Sequence, residues 1–311
     1  MTDVTLSNRD RRFEQLVQTM DPQSTLLHTW ALQGGVSAQV TALEIARPDG
    51  QTSKLVVRQH GAVDLGQNPH VAANEFELLR LLQSFQLAAP APYHLDESCA
   101  IFATPVIVIE YIEGSQEDAP VNEADCMRQL AAQLSRIHAA DWSQADLSFL
   151  PDQAQRYAAM VRAAPANERA AGDEERIRHA LAAAWPLPER NPATVLHGDF
   201  WPGNVLWHNG QLVALIDWED AAVGDPLADV ANARLEILWA FGADALRAFT
   251  QQYRSLTPGV DWTDLAYWDL CADLRLAGRI GEWGLDEASE ATMRARHRWF
   301  VDQAFAALAA R

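Results

Sequence analysis

Apolar and polar residues alternate in three short runs near the start of the chain: LLHTWAL at 26–32, QVTALEI at 39–45 and KLVVRQ at 54–59. A period of two marks strands with one face turned inward. Gly34-Gly35 and Pro48-Asp49-Gly50 fall between the runs, where turns need them. The pattern predicts a three-stranded antiparallel meander. The period then changes. Asn68-Pro69 offers a helix cap and a first-turn proline ahead of HVAANEFELLRLLQSF. Val71, Leu78, Leu79 and Leu82 share one face of that helix, and Glu75 lies on the same face. Glu77 falls on the polar side with Ala73, Arg80 and Ser84. A further strand, PVIVIEYI, ends just before Gly114 and the polar stretch SQEDAP, which reads as a connector. Beyond it the apolar period is helical, starting with an Asn122 cap before EADCMRQLAAQLSRIHAA, with Asp125 three positions on, and continuing through segments near 152–164 and 173–185. The helical pattern returns after 225. The division predicted is a sheet-based lobe over 1–112 and a mainly helical lobe over 113–311, an α+β arrangement.

One segment breaks the helical second half. VLHGDFWPGN, at 195–204, follows an apolar run and leads into VLWHNGQLVALID. Asn209-Gly210 between apolar runs is a strong hairpin signal. With those residues as the loop, 208 faces 211 and 204 faces 215, so Asp217 lies just past the partner of Asn204. That spacing puts the two roughly 5–8 Å apart. Asp199 reaches the same end from the preceding loop. Two carboxylates and an amide at the mouth of a β-ribbon are oxygen donors suited to a hard cation, with Mg2+ the natural occupant. Asp and Gly are also default turn formers, so the loop alone would not require a metal.

Bulk properties narrow the function classes. The chain has 311 residues with 42 acidic and 24 basic side chains, a formal net charge of −18. No basic stripe is present, which argues against a nucleic-acid partner. The longest apolar run is interrupted by Glu110 and is too short to span a bilayer, so no membrane partner is expected. Cys99, Cys126 and Cys271 are odd in number and far apart, a pattern of reduced thiols in a cytoplasm. The first residues, MTDVTLSNRDRRFEQ, lack the apolar stretch of a signal peptide.

The stretch HGDFWPGNVLWHNGQLVALIDWEDAAVGDPLADVA closely resembles the aminoglycoside phosphotransferase and choline kinase superfamily. Asp199 and Asn204 have the separation of the Asp and Asn in the protein-kinase catalytic loop. The resemblance extends more weakly over about residues 26–235. It implies a protein-kinase-like, two-lobed fold and phosphoryl transfer from ATP or GTP to a hydroxyl of a small molecule, with Mg2+ as cofactor. It implies Asp199 as the residue that orients or deprotonates the acceptor, and Asn204 and Asp217 as the metal ligands. His197 would be a structural, buried histidine. Gly198 stands where protein kinases carry an Arg that answers an activation-loop phosphate. In QGGVSA, Ser37 and its neighbouring backbone would face the phosphates. The strand position that family members usually fill with Lys is Arg58, and Arg58 would pair with Glu75. Lys54 begins the strand and would be solvated. The backbones of Glu110 and Ile112 would meet the adenine edge. Asp225 would cap the helix that follows.

The acceptor is not legible. Glu236, Asp269, Asp273 and Glu282 lie among Trp239, Trp268 and Trp283 in the C-terminal helices, a composition suited to a cation. The same acids are equally suited to pairing with Arg234, Arg275 and Arg279. Two other functions stay open at this point: a nucleotide-binding pseudokinase acting as a regulatory module, and a metal-dependent hydrolase.

Overall fold

Thr25–Ala31 (β1), Ala38–Ala46 (β2) and Thr52–His60 (β3) form the expected antiparallel meander. We describe the protein from a computed structural model over residues 8–32, 38–163, 171–276 and 280–310. Two more strands, Pro92–Asp96 (β4) and Val106–Glu110 (β5), complete a five-stranded sheet of order β1-β2-β3-β5-β4. β4 has no clear alternation in PYHLD, which is why the pattern alone does not mark it. The chain divides into two compact units after Glu113.

In the first unit both faces of the sheet are covered. Asn8–Met20 (α1) carries Phe13, Leu16 and Val17 into a buried cluster with Leu43, Ile45, Leu55, Val57, Val106 and Val108. Phe13 also meets Phe102, with ring centroids 5.3 Å apart. The i, i+3, i+4 spacing of 13, 16 and 17 is the helical signal that charged neighbours obscure in the sequence. Alternate residues of β3, including Arg58 and His60, therefore face the other way. Val71–Ser84 (α3) buries Val71, Glu75, Leu78, Leu79 and Leu82. Glu77 is exposed and pairs with Arg80. The start of α3 differs from the expected one. A short helix, Ala62–Gln67 (α2), ends at Asn68, whose side chain accepts a hydrogen bond from His70 N rather than capping the longer helix.

The second unit is mainly helical: Glu123–His138 (α4), Gln153–Arg162 (α5), Ala171–Ala184 (α6), Pro226–Phe241 (α7), Ala243–Leu256 (α8), Leu265–Leu276 (α9) and Glu287–Ala309 (α10). Asn122 caps α4 by accepting from Ala124 N, while Asp125 turns to Arg128 and Gln129. Between α6 and α7 lie two small antiparallel pairs. Thr194–Leu196 (β6) pairs with Ala222–Gly224 (β9), and Val205–His208 (β7) with Gln211–Leu215 (β8). The hairpin turns at Asn209-Gly210, both with positive φ, and His208 faces Gln211 as expected. Its open end does not keep the expected register. A bulge between Leu206 and Trp207 adds one residue to β8, so Val205 rather than Asn204 faces Leu215. Asn204 instead accepts from Ile216 N through its carbonyl, at 2.9 Å.

No helix is long and apolar enough to cross a membrane. The three cysteines are free thiols, Cys99 exposed and the other two buried.

Because Leu16 is fully buried between α1 and the sheet, Leu16→Ala should lower the unfolding free energy by about 2–5 kcal/mol. Arg11→Ala, on the exposed side of the same helix, should change it little. Urea denaturation of the two variants checks this.

Candidate active site

β6 is buried along its whole length and delivers His197 to the start of a loop over 197–204. His197 is fully buried. Its Nε2 lies 3.1 Å from Ile216 O, and its Nδ1 accepts from Asp199 N at 3.3 Å. That pair of partners fits the tautomer protonated at Nε2. The ring orients the loop from within.

Gly198 has φ +81, and a Cβ there would run into the carbonyl of Asp220. The loop closes so tightly on Asp220 that position 198 has no room for a side chain. Gly203 is likewise covered by the Trp201 ring, which would overlap any Cβ. The approach at Gly198 is to backbone, whereas that at Gly203 is to the far end of a side chain that is itself 40% exposed.

Asp199 and Asn204 face each other across the loop. Asn204 Nδ2 donates to Asp199 O and to Asp199 Oδ2, each at 3.0 Å. Both partners only accept, which fixes the amide orientation. The Asn204 Oδ1 carbonyl is left with no hydrogen bond among the described residues. Asp217 follows Ile216 at the end of the hairpin and takes the left-handed φ of 67°, which Asp tolerates better than most residues. The donor set is two side-chain oxygens on adjacent strand ends beside a carboxylate, which fits a small hard cation.

Asp229, on α7, is the residue that sequence reasoning undervalued. It is 2% exposed, and its carboxylate accepts from His197 N at 2.6 Å and Gly198 N at 2.9 Å. His138 of α4 approaches it through Nε2 at 3.3 Å and holds Tyr253 Oη at 2.6 Å through Nδ1. Burial alone would raise the Asp229 pKa, but the His138 hydrogen bond and charge, His197 and the Gly198 N–H outweigh it and hold it low. Asp225 caps α7 as expected, accepting from Leu227 N.

Arg275 of α9 reaches the same loop. Its Nη2 donates to Asp199 Oδ1 at 2.9 Å and to Asn232 Oδ1 at 2.6 Å, and its Nη1 to Gly198 O at 3.1 Å. Burial would lower its pKa, but Asp199 and its other neighbours reverse the shift. The acids of the C-terminal helices separate into two groups. Asp269 is bound to Arg234 by two parallel bonds of 3.0 Å, and Asp273 lies 2.9 Å from His297. Glu236, one turn along α7 from Asn232, makes no hydrogen bond among the described residues. Desolvation, opposed by Arg275 and reinforced by Asp199, pushes its pKa up to about 7. Trp239, one turn further, packs edge-on to Trp283, which is 38% exposed. Glu282 and Arg279 offer no comparable evidence: the side chain of Glu282 and all of Arg279 lie outside the described residues.

In the first unit, Arg58 and Glu75 are both buried, with Arg58 Nε 3.4 Å from Glu75 Oε1. His60 Nε2 lies 3.1 Å from the other carboxylate oxygen. His60 carries no sequence signal beyond sharing the strand face of Arg58. Lys54 stands at the far end of β3, partly exposed, paired with Glu113 at 2.6 Å. Glu110 N donates to Ala91 O at 2.8 Å, so its N–H is already used. Ile112, past the end of β5, makes no backbone hydrogen bond among the described residues. Ser37 lies outside the described residues.

Comparison with known proteins places the chain in a family. The pattern of the phosphotransferase enzyme family matches residues 31–268. The chain is 28% identical over 205 residues to viomycin phosphotransferase of Streptomyces vinaceus, covering 60% of this chain and 71% of that protein. It is 28% identical over 215 residues to acyl-CoA dehydrogenase family member 10 of mouse, covering 64% of this chain but only 20% of that much longer protein. Among solved structures, the GDP complex of aminoglycoside 2'-phosphotransferase-IIIa superposes with a TM-score of 0.65 at 15% identity, covering 94% of this chain and 98% of that one. A two-unit chain with a five-stranded sheet, a helical second unit and a family pattern spanning most of its length belongs to the phosphotransferase enzyme family.

Proposed function

We propose that the protein transfers the γ-phosphoryl group of ATP or GTP to a hydroxyl of a small molecule. The observation that carries this reading is the Asp199–Asn204 lock, which aims one carboxylate while leaving the amide oxygen of Asn204 open. Asn204 and Asp217 would hold Mg2+, which supplies charge neutralisation on the phosphate oxygens when bound. Asp199 orients the acceptor hydroxyl and takes its proton as the oxygen attacks phosphorus. The new O–P bond forms as the bond to the β-phosphate oxygen breaks, and the nucleoside diphosphate leaves with that electron pair. Positioning and charge do most of this work.

In the first unit, Arg58 would contact the phosphates, with Glu75 holding its guanidinium. Ser37, between β1 and β2 in sequence, would meet the phosphates, and the backbones of Ile112 and Glu110, the latter through its carbonyl because its N–H is engaged by Ala91 O, would hold the base. The ion pair at Arg58, rather than the exposed Lys54, supports this assignment. Its planar fork can bond Glu75 and a phosphate together.

For the acceptor, we propose a cationic amino-alcohol or aminosugar. Of the acids considered, Asp269 and Asp273 already have cationic or histidine partners, whereas Glu236 lacks a hydrogen bond and lies within electrostatic reach of Asp199. Trp239, one turn further along α7, and Trp283, packed edge-on against it, add aromatic surface.

Asp199→Asn should lower turnover by about 10²–10⁴-fold. Thermal stabilisation by Mg–ATP or Mg–GTP should persist in that variant. Near-normal turnover would falsify the phosphotransfer mechanism. Arg58→Ala should weaken nucleotide binding far more than Lys54→Ala, as read by the same thermal shift; the reverse order would overturn the Arg58 assignment. A panel of aminoglycosides, choline, ethanolamine, aminosugars and neutral sugars, assayed by ADP or GDP release, tests the acceptor class. The carboxyl of Glu236 ionises as pH rises through about 7, so KM for a cationic acceptor should fall over that range. Glu236→Gln should raise this KM and flatten its pH dependence. A preference for neutral acceptors, or a KM unaffected by Glu236→Gln, overturns the cationic assignment and leaves the phosphotransfer reading standing.

A further inference from the structure

The loop that carries Asp199 contains no Lys or Arg between Val195 and Asn204. Its only basic residue, His197, is buried and committed to Ile216 O and Asp199 N. A catalytic carboxylate on such a loop has no local cation to fix its plane. We propose that Arg275 of α9 supplies that cation from a distant part of the chain and is the positioning residue of Asp199. The inference rests on the phosphotransfer reading above.

The geometry accounts for three donor contacts from the two Nη atoms of Arg275, while Nε is buried without a hydrogen-bond partner among the described residues. Arg275 Nη2 holds Asp199 Oδ1 at 2.9 Å, while Asn204 Nδ2 holds Oδ2 at 3.0 Å. A carboxylate fastened at both oxygens by donors from two different elements has one orientation. Each oxygen still has a second lone pair, so the acceptor hydroxyl can be received without displacing either donor. The guanidinium is itself held. Nη2 also donates to Asn232 Oδ1 at 2.6 Å, and Nη1 donates to Gly198 O at 3.1 Å. Asn232 sits one turn before Glu236 on α7 and reaches Phe200 O at 3.4 Å through Nδ2. Arg275 thus joins α9 and α7 to the loop on both sides of the Gly198–Asp199 peptide. Asp220 Oδ2, at 4.0 Å from Nη1, adds a second negative neighbour. Lys could not replace this fork, because one ammonium cannot reach Oδ1, Asn232 and the Gly198 carbonyl from a single point.

A role confined to packing predicts a loss of folding and nothing specific to turnover. A positioning role predicts a loss in kcat with nucleotide binding intact. The test uses the full chain and Mg–ATP, reading ADP production with the best acceptor of the panel and with water alone. Arg275→Gln should lower kcat by about 10²-fold, the cost of a displacement near 1 Å at the reacting centre. The Kd for Mg–ATP should stay near the wild-type value. Arg275→Lys should fold and bind Mg–ATP normally but recover only part of the lost kcat. Methylguanidinium, added below denaturing concentration to Arg275→Gly, should restore part of it as well. Wild-type kcat in Arg275→Gln or Arg275→Lys would overturn the proposal. So would an equal loss in Mg–ATP affinity, or a well-folded Arg275→Gly that methylguanidinium does not rescue. These outcomes are separable from failure of the parent reading, which shows in Asp199→Asn.

Discussion

The second unit is organised around one buried carboxylate. Asp229 is removed from water on a helix whose surface is almost wholly buried. A charge placed there must be fully partnered or it destabilises the fold by several kcal/mol, on the order of the penalty for an unpaired buried ion. Its partners are two consecutive backbone N–H groups, His197 and Gly198, together with the ring of His138. Those N–H groups lie where β6 ends and the loop turns, so neither is available to a β-ladder. The carboxylate satisfies the turn, and the turn satisfies the carboxylate. Everything downstream inherits this constraint: the positive φ of Gly198, the approach to Asp220, and the direction in which Asp199 leaves the backbone.

The first unit uses the same device in different chemistry. Glu75 is a buried acid on a helix, answered by Arg58 on one oxygen and His60 on the other. Both partners come from alternate positions of β3, so the strand's period of two places them side by side on the face toward α3. An Arg at position 58, rather than a Lys, sets the geometry of this pair. An ammonium meets the carboxylate as a point charge, while a guanidinium keeps further N–H groups directed elsewhere. The pair therefore holds α3 against the sheet.

What could be read from sequence was what depends on local period and short-range turns. The meander, the α3 face bearing Glu75, the Asn122 and Asp225 caps, and the Asn209-Gly210 turn all follow from a few neighbouring residues. The hairpin register failed by one residue because a bulge is a property of the pairing; nothing in VLWHNGQLVALID announces that Val213 goes unpaired. The apolar positions of α1, 13, 16 and 17, sit among charges that mask their helical spacing. Asp229 and Arg275 were visible as residues but not as parts of the site. Asp229 is 30 residues from Asp199 and Arg275 is 76, and only tertiary packing brings them to the loop. His60 has the same history within the first unit: its role comes from the helix that covers the strand.

The acids of the C-terminal helices show why charge composition is a poor guide to a binding site. A net charge of −18 describes the whole surface and speaks to solubility and long-range steering. Recognition at short range depends on which charges the fold has left without a partner. Asp269 is spent on Arg234, whose fork also reaches Thr250 at 2.7 Å, and this cluster ties α7 to α8 and α9. Asp273 is spent on His297 between α9 and α10. Arg275, which might have neutralised Glu236, is instead bonded to Asp199 and Asn232. Each pairing is a structural requirement of joining helices, and each removes a charge from the pool available to a ligand. Glu236 is left because its natural counter-ion is engaged at the 197–204 loop. The same guanidinium that bonds Asp199 thereby leaves Glu236, one turn past Asn232 on α7, without a hydrogen bond among the described residues. In this arrangement the orientation of the Asp199 carboxylate and the unpartnered carboxyl of Glu236 are two consequences of a single choice of ion pair, and the proposed function draws on both.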